Sequence, residues 1–278
     1  MLTQGALAAA TYSSVSGWNL PSDVTPVTVS YLPLAHIYGV NSTPFSVPEP
    51  KLTFVLVQRV FELAITVFGG VIGYSTGSPL RLMEDIRVLK PNILPSVPRV
   101  LNKIYQGIAV YLNTPGLKGA LFRRGVAVKL ERLKQTGDHT HPFWDRLVFN
   151  KLREIIGGRV EMLGTGGAPT NPEVMDFLKV TLVCNVLQGY GMTENCGACT
   201  KEFPRDPTST GTIGPPQPIN EIKLVDVPSM GYSVLDKPHP RGEICVRGVS
   251  CFTEYYKSEL PPPSLRFPHL DIRRLLIS

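Results

Sequence analysis

Two short glycine-bearing segments hold the residue types that could do chemistry. Residues 188–194 read Gln188-Gly189-Tyr190-Gly191-Met192-Thr193-Glu194. Gly189 and Gly191 let the chain bend sharply. Tyr190 offers a flat ring on which a purine can stack. The Thr193 hydroxyl can donate to a phosphate, and Glu194 can ligate a hard cation such as Mg2+, which prefers oxygen ligands and bridges to phosphates. Upstream stands Gly164-Thr165-Gly166-Gly167-Ala168-Pro169, leading into Thr170-Asn171-Pro172-Glu173. That continuation reads as a capping box with an early proline. Glycines let the backbone approach a ligand, and the helix N-terminus adds unpaired N–H groups. Both segments read either as phosphate or nucleotide walls or as plain tight turns. Residues 188–194 lack the G-x-G-x-x-G and G-x-x-x-x-G-K-[ST] patterns, so that segment is neither a dinucleotide fingerprint nor a Walker loop.

His36 ends a strand-like segment in the setting Pro33-Leu34-Ala35-His36-Ile37-Tyr38. No G-x-S-x-G or other nucleophile motif accompanies it, so it reads as a pocket-lining residue rather than a general base. Cys196 and Cys199 form a C-x-x-C pair. A zinc site needs about four ligands, and no second pair stands at finger spacing. Five widely spaced cysteines do not make a disulfide framework and suit a reducing compartment.

The elements that must position these residues alternate. Residues 1–17 read as a small-residue helix and 27–32 as a strand. Three prolines break 39–57, and an apolar helix follows from 58, running into a strand by 72. A short helix at 83–90 precedes a strand at 92–95. Apolar residues then follow helical spacing from Val97 to Leu112, from Leu121 to Leu133 and from Phe143 to Ile156. Strands are expected at 159–163 and 182–187, each ending at one of the glycine turns, with a helix at 172–179 between them. This alternation predicts an α/β fold with a largely parallel sheet. From 204 to 240 the chain is rich in proline, with short strands at 221–227 and 243–247, which reads as a smaller β-rich subdomain. The expected division is an α/β core over 1–203, a β-rich portion over 204–257 and a divergent tail over 258–278.

Composition narrows the classes. Of 278 residues, 43% are hydrophobic and 18% charged, which excludes a highly charged disordered chain. Glycine and proline together make up about 18%, above the usual share of roughly 12%, so loops are frequent. The formal charge is +6, but basic residues gather only in doublets such as Arg123-Arg124, so nucleic acid is not an expected partner. The N-terminus lacks the basic and apolar regions of a signal peptide. The most apolar stretch, 53–73, includes Gln58, Arg59 and Glu62, and a span needs about 20 nearly uncharged residues. It reads as a buried helix.

Taken together, YLPLAHIY (31–38), GTGGAPTNPEVMDFL (164–178), QGYGMTE (188–194), INEIKLVDV (219–227), and GEICVRG (242–248) with EYYK (254–257) resemble the long-chain fatty-acid–CoA ligases of the adenylate-forming superfamily. The resemblance implies a layered parallel-sheet core and a two-step reaction. A fatty acid attacks the α-phosphate of ATP to give an acyl-adenylate and pyrophosphate, and the CoA thiol then displaces AMP. It implies that Gly166, Gly167, Ala168 and Pro169 line the adenine and acyl-adenylate pocket with Gln188, Gly189, Gly191 and Met192. It further implies that Tyr190 stacks on adenine, Thr193 contacts phosphate, Glu194 holds Mg2+, and His36 lies near the acyl carboxylate or tunnel. It implies a cytoplasmic location or peripheral association with endoplasmic reticulum, peroxisome or lipid-droplet membranes.

The departures are as specific as the matches. The family's Ser/Thr/Gly-rich phosphate loop, ending in PKG, would stand just before Met1. The family's ribose-binding aspartate in a Thr-Gly-Asp setting has no counterpart, since Asp271 lacks that context. The family's lysine-bearing C-terminal domain has no match. The chain is therefore expected to be an internal portion of the large domain that does not turn over alone; a fatty-acid or AMP-binding remnant and a non-functional product are the alternatives. Removing 39–57 would join LPLAHIY to QRVFELAI as in the family. That segment reads as a retained intron, a gene-model error or a surface loop, whose closure costs only about 0.6 kcal/mol per doubling of length.

Overall fold

The computed structural model describes residues 2–16, 24–31 and 53–252, and from 53 to 59 the backbone alone. His36, the segment 39–52, Asp271 and the tail 258–278 lie outside the described residues. The elements run in the order α1 (Gln4–Val15), β1 (Val27–Ser30), α2 (Thr53–Val67), β2 (Val71–Tyr74), α3 (Leu82–Leu89), β3 (Ile93–Ser96), α4 (Pro98–Ala109) and α5 (Gly116–Thr136). Then follow α6 (Pro142–Trp144), α7 (Asn150–Arg153), β4 (Met162–Thr165), α8 (Pro172–Leu182), β5 (Asn185–Tyr190), β6 (Thr200–Lys201), β7 (Asn220–Val225) and β8 (Glu243–Gly248).

Six strands form one sheet in the order β2-β1-β3-β4-β5-β6. The pairs from β2 through β5 are parallel, and β6 alone returns antiparallel to β5. A parallel sheet has both faces covered, so its strands are apolar on both sides. Leu94, Leu163 and Val186 point to one face, where they meet Ile86 of α3, Leu101 of α4, Phe122 of α5 and Met175 of α8. Their neighbours Ile93, Met162 and Leu187 point to the other face and pack on Phe61 and Ile65 of α2. β7 and β8 form a separate antiparallel pair within the proline-rich stretch.

Several expectations need correction. The stretch 53–73 is not one buried helix. α2 is amphipathic, with Val60, Ala64 and Ile65 buried and Leu63 and Val67 exposed, and it gives way to β2. Its start at Thr53 takes in the last residues of the proline-broken segment. The periodic run 143–156 is not one helix either. A π-helical turn at Asp145–Phe149 separates α6 from α7, and a 3-10 turn follows at Glu154–Ile156. The wide turn falls where Asp145 turns inward to the ammonium of Lys129. Lys129 is wholly buried. Its ammonium also donates to the Val180 carbonyl at 2.6 Å and lies 4.6 Å from the centre of the Phe149 ring.

Candidate functional site

The C-terminal ends of β3, β4 and β5 stand abreast, with Pro95, Gly164 and Leu187 in one row and Ser96, Thr165 and Gln188 in the next. Ligands of open parallel sheets bind at this edge. The two glycine-bearing turns leave from neighbouring strands there. Gln188 joins them. Its Oε1 accepts the Thr170 N–H at 2.9 Å, its Nε2 donates to the Thr212 carbonyl at 3.0 Å, and its backbone N–H donates to the Glu202 carboxylate at 2.9 Å.

The expected capping box is therefore wrong at its first residue. The cap of α8 is Asn171, whose Oδ1 accepts the Glu173 N–H at 2.8 Å. Thr170 is buried and faces Gln188 instead. The strand expected to end at Leu187 also runs on to Tyr190, because β6 folds back on it with Gly189 opposite Lys201 and Tyr190 opposite Thr200. A two-residue strand has no period to read and is not legible from the residues alone.

Between β5 and β6 the chain makes a tight reversal. Asn195 Oδ1 accepts the Met192 N–H at 3.0 Å, and the Gly197 N–H donates to the Met192 carbonyl at 2.8 Å. A β-carbon at Gly191 would lie 2.1 Å from the Gly197 carbonyl oxygen, so only glycine fits. The Phe252 N–H donates to the Glu194 carbonyl at 2.7 Å and ties this reversal to the end of β8. Across the gap, a β-carbon on Gly166 would come within 3.1 Å of the Gly189 carbonyl oxygen.

A cavity of about 90 Å³ opens between α2 and this edge of the sheet. Phe61, Met162 and Leu187 give it apolar walls, and Ser14 of α1 and Lys201 of β6 also line it. Of the sequence-predicted residues, Gly166, Gly167, Gly189, Tyr190 and Gly191 line the cavity. Ala168 and Pro169 are exposed on the outer part of their turn, and Gln188 is buried; none of the three stands in the cavity wall. Met192, Thr193 and Glu194 are half-buried in the reversal and lie outside that wall as well.

Burial dominates the electrostatics. It raises the Tyr190 hydroxyl above its ordinary range, with Cys199 and Glu194 adding to the effect. It lowers Lys201 to about 8 and raises Glu202 to about 7. Cys196 and Cys199 are pushed up to about 11 and about 12, again by burial first. Both are thus protonated thiols that act as small apolar residues. Among the described residues, no three His, Cys, Asp or Glu side chains gather as a metal site. Glu194 is the one carboxylate of the reversal. A single carboxylate suits Mg2+, which usually takes one or two from protein and the rest from phosphate and water.

Lys201, Ser14 and Thr200 were missed as site residues. The stretch Thr200-Lys201-Glu202 carries no local pattern that singles out its lysine. Nothing local links α1 to the site.

A mixed sheet covered on both faces, with two glycine-bearing turns over one cavity at its carboxyl edge, is the architecture of adenylate-forming enzymes. The sequence pattern of the AMP-binding enzymes matches residues 50–256, and the chain belongs to that family. It is 43% identical over 235 residues to peroxisomal long chain acyl-CoA synthetase 6 of Arabidopsis thaliana, covering 84% of this chain and 30% of that protein. It is 42% identical to peroxisomal long chain acyl-CoA synthetase 7 of the same plant, over 93% of this chain and 34% of that one. The chain thus spans about a third of the length of these relatives. Its backbone matches the A domain of a carboxylic acid reductase from Segniliparus rugosus, solved with AMP and a co-purified carboxylic acid. That match has a TM-score of 0.60 and 25% identity, over 91% of this chain and 33% of that one. Among the described residues, no helix is long and apolar enough to cross a membrane.

Proposed function

We propose that the chain supplies the adenylate wall and the acyl cavity of a long-chain fatty-acid–CoA ligase. In the first step a carboxylate oxygen of the fatty acid attacks the α-phosphorus of ATP and expels pyrophosphate. In the second the CoA thiol attacks the acyl carbon and expels AMP. This chain's part is to position the adenylate. Gly166 and Gly167 admit it close to the backbone, Ala168 and Pro169 shape the rim, and Tyr190 stacks on the adenine. Gly189 and Gly191, held by Gln188 and Met192, keep the second turn at the distance the ligand needs. Thr193 donates to phosphate. Glu194 would hold Mg2+, which when bound neutralises phosphate charge. Catalysis of this kind is mainly positioning and charge stabilisation. His36 is proposed to lie near the acyl carboxylate.

The observation that carries this reading is the Gln188–Thr170 hydrogen bond, which fixes both turns over a single cavity. The relatives' names support the acyl and CoA specificity. The AMP and carboxylic acid held by a structurally similar domain support the ligand pair. Cytoplasm, or the surface of the endoplasmic reticulum, peroxisome or lipid droplet, is the proposed place of action.

The experiment is ligand-dependent thermal stabilisation. A ligand that binds the native state alone at 100 times its Kd adds about 2.7 kcal/mol of stability. Saturating AMP and saturating palmitate are each expected to raise Tm, and no shift with either overturns the reading. We further propose that the isolated chain binds these ligands without turnover, because Asp271 stands outside the Thr-Gly-Asp setting that holds the ribose in the ligases. Palmitoyl-CoA formed from palmitate, ATP, Mg2+ and CoA above a no-protein blank would contradict that second proposal.

A further inference from the structure

The cavity wall is largely apolar, with Ser14, Ser96, Thr165, Thr200, Lys201 and Gln217 as polar members. Among the described residues that line it, Lys201 is the sole charged side chain. Its position is fixed from behind. The ammonium donates to the Ser14 and Ser16 carbonyls, each at 2.8 Å, at the C-terminal end of α1. Two of its three N–H groups are thereby used, and the third has no acceptor among the described residues. None of their carboxylates comes within ion-pair distance. A half-buried cation that faces carbonyl dipoles but no counter-charge is incompletely compensated. The residue before it adds a second sign. Thr200 also lines the cavity, is 4% exposed, and its hydroxyl has no hydrogen-bond partner. Buried polar groups in native proteins are nearly always paired, so two consecutive cavity-lining residues, one with an orphan hydroxyl and one with an incompletely compensated ammonium, mark a place where a ligand group belongs.

We propose that Lys201 is a binding residue of this cavity, supplying its positive contact to the acidic group, carboxylate or phosphate, of a ligand whose apolar part fills the rest. The inference rests on the proposed adenylate and fatty-acid site and adds a recognition element to it. An apolar chamber with one cation selects for ligands that are apolar along their length and carry a single anionic head. The α1 tether keeps the ammonium from swinging into solvent, so the contact is pre-formed. Burial lowers the affinity of Lys201 for its proton, and an anion docked against it reverses that cost.

The test separates charge from fold by using pairs of ligands that differ only in the acidic group. Dissociation constants for AMP against adenosine, and for laurate against 1-dodecanol, are measured on wild type, K201Q and K201R. Wild type is expected to prefer the charged member of at least one pair. K201Q is expected to lose about tenfold of that preference while its affinity for the neutral member stays within about twofold, and K201R to keep most of it. The pair that responds identifies phosphate or carboxylate as the partner. Should K201Q fail to fold, the wild-type protein still answers. Acetylation of Lys201 by acetic anhydride, followed by mass spectrometry, is expected to be slowed by the charged ligand and not by the neutral one. Preferences unchanged in K201Q, or labelling indifferent to all four ligands while they bind, overturn this inference alone. Failure of wild type to bind any of the four overturns the proposed function and this inference together.

Discussion

Gln188 Oε1 lies 2.9 Å from the Thr170 backbone nitrogen and converts two turns that are separate in sequence into one wall. All four hydrogen-bonding groups of Gln188 are used: besides Thr170, Thr212 takes its Nε2, and Glu202 pairs with both its backbone N–H and its carbonyl. In Q188L the buried Thr170 N–H and the Thr212 carbonyl lose their partner. A buried polar group left unsatisfied costs about 1–3 kcal/mol. Denaturant titration should show a loss of that order, and AMP affinity should fall at least tenfold because the two turns are no longer held in register.

Glu202 gives the site a pH dependence. Its carboxyl is fully buried, and one of its oxygens has no partner. Burial raises its pKa from 4.5 to about 7, against the Gln188 N–H and Lys179, which lower it, while Asp176 and Asp206 push it up further. The folded state therefore keeps a proton that the unfolded chain releases. The stability from this group is fully present below pH 4.5 and is lost as the pH rises through 7. Thermal melts of wild type should show that loss between pH 5 and 8. E202Q should flatten the profile and be the more stable protein at pH 8. A wild-type profile that rises over this window would refute the assignment.

Two glycines should respond differently to one added methyl group. At Gly191 the β-carbon would strike the Gly197 carbonyl, and backbone cannot step aside as a flexible side chain can. G191A should cost at least the roughly 1–3 kcal/mol typical of overpacking. At Gly166 the contact with the Gly189 carbonyl is 3.1 Å, so a small spreading of the turns accommodates it. G166A should keep most of its thermal stability and lose ligand affinity. Equal effects of the two substitutions on Tm would contradict this distinction.

The buried pair of Lys129 and Asp145 lies on the far side of the sheet from the cavity and should affect stability without touching ligand selectivity. The Asp145 carboxylate also accepts the His141 N–H at 2.7 Å, so K129A strands a largely buried anion. Breaking such a pair from one side costs about 3–5 kcal/mol. The double variant K129M/D145N should recover much of the loss, as measured by a denaturant double-mutant cycle.

The central strands were legible because each is a short apolar run bounded by glycine, proline or asparagine, and burial on both faces removes any need for alternation. β3, β4 and β5 fall within a few residues of where the sequence puts them. The misreadings share a cause, which is a partner distant in sequence. Thr170 looks like a cap until Gln188 claims its N–H. Residues 188–190 look like a turn until β6 pairs with them. Asp145 looks like a helix residue until Lys129 draws it inward. The glycines, Tyr190 and Gln188 could be singled out from local chemistry. Lys201 could not, since its environment is set by carbonyls at the end of α1.

That last connection bears on how the molecule is made. Ser13 bonds to Gln217 across 204 positions, and Lys201 reaches back 187 to Ser14. During synthesis the first helix must wait for nearly the whole sheet to emerge before the back of its chamber exists. Contacts this remote are entropically expensive to bring together and form late. A nascent chain paused before residue 200 would thus hold a nearly complete sheet and no closed chamber.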